Sequence, residues 1–209
     1  MQKCKGRNVA KSPADRSSKG EGVRQRKQRE TRQRIAATGL RLFLTDGYET
    51  TTLDAIAKAA GISRRTFFSY FTSKDDILLQ WQSGAWDAIC EEVAEVSATQ
   101  APIDAVISVF LRYAERHQSD EMLRIDRLLR SSDSLRSRKQ AYYATQERAL
   151  FDSLCQVWPL PERRDALRMV AMASIGAMRL AIEAWSLEDG KHPVRTYVVR
   201  AFAHLKAEI

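Results

Sequence analysis

The chain has 209 residues, 34 Lys and Arg against 26 Asp and Glu, and a formal net charge of +8. Hydrophobic residues at 44% allow a buried core, while nine Gly and five Pro argue against collagen-like, linker-dominated and turn-rich all-β chains. Cys4, Cys90 and Cys155 are too scattered for a disulfide framework or a CxxC metal site.

In chain order, the first feature is charge. Residues 1–74 hold 17 Lys and Arg against 6 acids, whereas residues 75–209 hold 17 against 20. A basic front on a mildly acidic body is the asymmetry of a polyanion-binding head. Residues 1–23 have almost nothing apolar to fold around and read as a disordered tail. No apolar h-region follows this basic start, so no signal peptide is visible. The longest apolar run, Met169 to Met178, is far short of the ~20 residues of a membrane span. A cytoplasmic protein with no membrane contact is expected.

Helical spacing of apolar residues begins near Arg24 and no convincing strand follows. Ile35, Leu40, Phe43 and Leu44 give one face of a first helix, Arg24 to Asp46, with Gly47 after it. Thr51 and Asp54 form a candidate capping box for a short helix ending near Ala60. Gly61 breaks it, and Ser63 caps a third helix to about Tyr70. Ser73 and Asp76 are a second candidate box, opening a long helix from Lys74 to about Ser97. Pro102 opens a helix to Gln118, and Ser119 caps one to Arg130. Residues 131–134 read as a loop, Leu135 to Val157 as helix. Pro161 starts a helix to Leu187, and Pro193 one to Lys206. The expectation is an all-α, nine-helix, two-domain chain. The boundaries are 1–23 for the tail, 24–73 for a helix-turn-helix domain and 74–209 for a ligand-binding and dimerisation bundle.

The segment Leu53 to Phe71, LDAIAKAAGISRRTFFSYF, carries the functional signal. Ile56, Ala60, Ile62 and Phe67 are apolar where two crossing helices share a face, and Ala57 is small at the crossing. Gly61 stands where the tight turn needs a left-handed residue. Arg64, Arg65 and Thr66 then open the second helix, whose N-terminal residues would meet base edges in a major groove. An Arg that bonds guanine O6 and N7 discriminates by about 1–3 kcal/mol.

With its neighbours, this stretch resembles the TetR family of bacterial transcriptional repressors. The resemblance runs from about Arg32 to Leu79, through IAATGLRLFLTDGYETTTLDAIAKAAGISRRTFFSYFTSKDDIL. It implies a helix-turn-helix head and a divergent helical body. The variant Arg-Arg-Thr-Phe-Phe-Ser-Tyr-Phe, with Trp81 and the Leu123 to Leu135 region, is similar to the branch whose bodies take acyl-CoA-like ligands. By resemblance, Thr51 or Thr52 contacts phosphate, Arg64, Arg65 and Thr66 read bases, and Tyr70 and Lys74 lie at the phosphate backbone. Phe67 and Phe71 match core positions. Phe68 departs from the family, where Tyr reaches a phosphate, and leaves van der Waals contact only. Arg24, Arg26 and Lys27 are candidates for an arm that reaches a minor groove or phosphates.

Further on, Ala166 to Trp185 is apolar on more than one face, and Val194, Val198, Val199, Phe202 and Leu205 stripe the last helix. A helix apolar nearly all round is covered on both sides, so these two helices are expected to form a homodimer interface. Trp86, Phe110, Tyr113, Arg124 and Met172 are candidate lining of a pocket for a small hydrophobic or acyl-CoA-like effector; Trp81, Met122, Tyr143 and His117 lie in the same stretch. The expected function is a homodimeric repressor, released from a palindromic operator by that effector. Two alternatives stay open: a DNA-bound adaptor without effector, and a helical enzyme. The second is disfavoured, because His117, His192 and His204 are scattered and no HExxH, GxGxxG, phosphate-loop or nucleophile motif occurs. Neither cofactor nor metal is expected.

Overall fold

A computed structural model describes residues 23–117, 120–131 and 133–208. The expected tail, 1–23, lies outside these residues save for Val23, as does the expected Ser119 cap. Among the described residues nine α-helices and no strand occur. They are α1 (Val23–Asp46), α2 (Leu53–Ala59), α3 (Arg64–Phe68), α4 (Asp75–Ala94), α5 (Pro102–His117), α6 (Asp120–Arg130), α7 (Asp133–Val157), α8 (Arg164–Leu187) and α9 (Val194–Ala207). A 3-10 turn, Pro161–Arg163, leads into α8.

Local chemistry sets the boundaries. Thr52, not Thr51, caps α2: its side chain accepts from Ala55 N at 3.1 Å. Thr51 turns inward instead, only 4% exposed, and donates its hydroxyl to the Gly47 carbonyl at 2.6 Å. Ser63 accepts from Thr66 N at 3.0 Å and starts α3. Ser73 Oγ accepts from Asp76 N at 3.3 Å, while the Asp76 carboxylate accepts from Thr72 N at 2.8 Å, so the expected box at α4 reaches one residue further back. The loop expected at 131–134 is shorter, because α7 begins at Asp133. Pro161 starts a 3-10 turn, and the α-helix itself begins at Arg164.

Two apolar clusters result. The first joins Ile35, Leu40 and Phe43 of α1, Ile56 of α2, Phe67 of α3 and Ile77 of α4. It also takes in Ile125 and Leu129 of α6 and Leu135 of α7, so the head packs directly on the body. The second fills the bundle of α4, α5, α7, α8 and α9 around Phe110, Leu150, Leu154, Trp185 and Tyr197.

Between the head and the body, polar ties add to this packing. Arg124 of α6 donates to the Leu44 carbonyl near the end of α1. Arg138 of α7 pairs with Asp75 at 2.8 Å and Asp76 at 3.5 Å, at the start of α4. Asp75 in turn accepts from the Tyr48 hydroxyl of the head.

Taken whole, Pro161–Leu187 is long and apolar enough to cross a membrane by length and composition, although no single run in it is. Here it packs instead on α5, α6, α7 and α9. Its buried residues are Leu167, Ala171, Ser174, Ile175, Ala177, Ala181, Trp185 and Ser186. The other face is open, with Met169, Met172, Leu180 and Leu187 exposed.

Candidate nucleic-acid interface and ligand cavity

The turn between α2 and α3 is held by the Gly61 backbone, at φ +67, and by Ile62 N donating to the Ala57 carbonyl at 3.0 Å. Only a residue without Cβ takes that conformation at no steric cost. Behind the turn Ile56, Ala57 and Phe67 are sealed from solvent, and Phe67 stacks edge-on against Phe68 and tilted against Phe71. This anchors a short α3 whose outer face carries Arg64, Arg65 and Phe68, all exposed, with Thr66 half-buried beside them.

The two arginines differ. Arg64 Nη1 lies 3.3 Å from Asp54 Oδ2, and its guanidinium stands 5.8 Å from the Phe68 ring. Arg65 has no carboxylate partner among the described residues. Phe68, 46% exposed, is a large apolar side chain left in water beside these cations. Thr52 is exposed at the start of α2, and Tyr70 is half-buried after α3.

Two expected contact residues are engaged within the head. Thr51 is spent on the Gly47 carbonyl inside the head, so it has no hydroxyl hydrogen left to offer a phosphate. Lys74 is drawn against Tyr48: its ammonium donates to the Tyr48 carbonyl at 2.7 Å, sits 4.1 Å from that ring and is 3.8 Å from Glu49. A partly exposed cation over a ring is held by about 0.5–2 kcal/mol, so Lys74 is tied to the head by these contacts. In the arm, Arg26 pairs with Glu30 at 3.1 Å on the surface of α1 and Lys27 is exposed, while the Arg24 side chain lies outside the described residues.

A cavity of about 580 Å³ opens in the body between α4, α5, α6, α7, α8 and α9. Trp86, Phe110 and Tyr113 line it, with Met122, Tyr143, Ile175 and Met178. Arg124 and Met172 do not. Arg124 points to the head, where it caps the α1 carbonyl of Leu44. Met172 is 47% exposed on the open face of α8 with Met169 and Leu180, rotated around the helix from Ile175, Met178 and Ile182, which meet the cavity. The side chains of Trp81 and His117 lie outside the described residues.

The cavity also has a charged wall that the sequence hid. Asp126 of α6, nearly buried, accepts from Lys139 of α7 and from Arg130 Nε at 2.7 Å. Burial by itself would raise the Asp126 carboxyl, but the Lys139 charge and hydrogen bonds from Lys139, Ser186 and Arg130 outweigh it and hold the group below its usual range. Arg179 of α8 lies over the Tyr143 ring at 5.8 Å. Burial, with Asp126 nearby, pushes the Tyr143 phenol up to about 12. Along the helices Asp126 and Lys139 look like ordinary solvated charges. The only sequence cue was the spacing Asp126 to Arg130, which places two opposite charges on one helix face.

The description "Bacterial regulatory proteins, tetR family" matches residues 35–80, which span this head. That of "MftR C-terminal domain", a TetR-type body, matches residues 96–209, more than half of the chain. The chain belongs to the TetR family of transcriptional regulators.

Among TetR-family relatives, TcmR of Streptomyces glaucescens is 35% identical over 116 residues, covering 55% of this chain and 51% of TcmR. EthR of Mycolicibacterium smegmatis is 49% identical over 45 residues, 22% of this chain and 21% of EthR. The chain therefore spans about half, or less, of the relatives it matches. In three dimensions it is similar to a TetR-family regulator from Mesorhizobium loti, at TM-score 0.58 and 16% identity, over 86% of this chain and 95% of that one. Thermus thermophilus FadR, solved in complex with lauroyl-CoA, gives TM-score 0.53 and 23% identity over 82% and 91%. These likenesses establish the fold.

Proposed function

We propose that the protein binds a palindromic DNA operator as a homodimer and leaves it when a small hydrophobic effector enters the body. The observation that carries this reading is the row of exposed Arg64, Arg65 and Phe68, with Thr66 half-buried beside them, on a Ser63-capped α3 braced from behind by buried Phe67. In the major groove Arg65 would take a guanine edge, and Phe68 a thymine methyl or sugar. Thr52, at the start of α2, and Tyr70 would touch phosphates. Arg26 and Lys27 of the arm supply charge near the duplex. The functional division is a head, 24–73, and a ligand and dimer body, 74–209.

Dimerisation would cover the open face of α8 and α9. Met169, Met172, Leu180, Leu187 and Val199 are exposed there, beside a groove of Ala173, Gly176 and Ala201 that lets a second pair of helices approach closely. Two-fold dimers are the commonest oligomers, and they would set two α3 helices about one turn of DNA apart. The effector would act through α6. Ile125 and Leu129 line the cavity and also belong to the head's apolar cluster, so any shift of α6 reaches the head. A ligand that prefers the shifted arrangement then draws the population off DNA.

Binding-site selection from a random duplex library, followed by mobility-shift titration, tests the reading. A palindromic motif is expected, and Arg65→Ala should relax one base pair of each half-site by about 1–3 kcal/mol. Equal affinity of wild type for all duplexes would overturn it.

A further inference from the structure

The charges around one end of the cavity do not balance. Lys139 and Arg130 are both held by Asp126, and Arg130 Nη1 also lies 3.6 Å from Glu183. Those two cations thus meet two carboxylates. Arg179, which also lines the cavity, has no carboxylate partner among the described residues. Its guanidinium instead covers the Tyr143 ring, one turn along α7 from Lys139. Glu121, the other lining carboxylate, stands at the start of α6, more than a turn from Asp126. Trp86, Phe110, Ile175 and Met178 give the apolar walls, and Tyr113 and Gln146 are further polar side chains of the lining. The cavity is thus a mainly apolar chamber in which Arg179, a cation with no carboxylate within ion-pair distance among the described residues, and the Tyr143 phenol share one end.

We propose that its occupant is an amphiphile with a single carboxylate head, paired with Arg179 and accepting from the Tyr143 hydroxyl, and an apolar body lying between Trp86, Phe110 and Met178. One spare positive charge matches a monoanion rather than a doubly charged phosphate. Lys139 does not take the head, because Asp126 already holds it in a buried pair whose rupture would strand a charge. A fork-shaped guanidinium and a neutral phenol are both donors, so the head is met by donors alone. The proposal rests on the reading of the cavity as an effector site, and it adds which end of the effector is read and by what.

Calorimetric titration of the full chain with dodecanoate and with dodecanol tests it. Dodecanoate should bind at least ten-fold tighter than dodecanol. Arg179→Gln should bring the two affinities together by weakening dodecanoate alone, and Tyr143→Phe should do so in part. Arg179 is exposed, so its loss leaves the core intact. Equal binding of acid and alcohol by wild type, an unchanged ratio in Arg179→Gln, or no binding of either would overturn the proposal. Operator binding by ligand-free Arg179→Gln, expected to equal wild type, is scored separately. Its absence in both proteins would sink the regulator reading and leave the ligand result standing.

Discussion

Asp126 shows how one residue can be read only in its surroundings. Its carboxyl is held below its ordinary value in the folded chain, against burial, by Lys139, Ser186 and Arg130. In the pH range where the unfolded carboxyl takes up a proton, near 3.9, the folded one is still ionised. The unfolded chain then binds more protons, so this contribution is complete above that range and is lost as pH falls through it toward the folded value. Asp126→Asn should therefore lower stability at neutral pH by about 3–5 kcal/mol and flatten the acid limb of a urea-denaturation profile measured from pH 6 down to 3. An acid limb as steep as that of wild type would show that other carboxylates dominate. Residue-level reading of the head went further. Ser63 and Gly61 behave as their chemistry demands, because caps and left-handed turns are local. Thr51 and Thr52 could not be told apart by spacing, since either can cap, and the choice fell to the Gly47 carbonyl that captured Thr51.

At the level of elements, the contact of α1 with α4 depends on Gly39. A Cβ there would stand 2.6 Å from Ile77 Cδ1 and 3.2 Å from its Cγ2. Ile77 is fully buried, so it has nowhere to swing. Gly39→Ala should cost about 1–3 kcal/mol by overpacking, despite the better helix propensity of Ala. Adding Ile77→Val should recover part of the loss. Thermal unfolding of the two variants checks this, and a stabilised Gly39→Ala would show that α4 moves away freely. Nothing in the sequence marks Gly39 as a crossing point, because a helical Gly announces only its cost, not its neighbour. Helix limits were legible where side chains cap them, as at α2 and α3. They were less so at α7, where Asp133 extends the helix into a polar stretch that reads as loop. The charges of α6 and α7 were misleading for the same reason: periodicity cannot say which polar face meets another helix.

For the whole molecule, the proposed dimer rests on the open face of α8. Leu180 is 57% exposed and Leu187 76%, on the same face of α8 as exposed Met169 and Met172. Contiguous apolar surface of this kind marks an interaction site. Leu180→Asp should leave the fold intact, as that side chain has little packing to lose. It should convert a dimer to a monomer by sedimentation equilibrium. If the assembly is the one proposed, operator affinity should drop at least ten-fold with it, since each half-site would then be held singly. A variant that stays dimeric would place the interface elsewhere.

The sequence by itself determined the helical class, the basic head, the helix-turn-helix with its cap and turn, and the family. All of these rest on local rules or on short ordered motifs, which survive without knowledge of distant contacts. Only the tertiary structure decided that Thr51 and Lys74 brace the head from within, that Arg124 ties α6 to α1 and that Met172 faces outward. It also revealed the balanced Asp126 cluster beside an unbalanced Arg179. Each of these depends on which helix faces lie against each other, and that is fixed by packing between residues far apart in the chain.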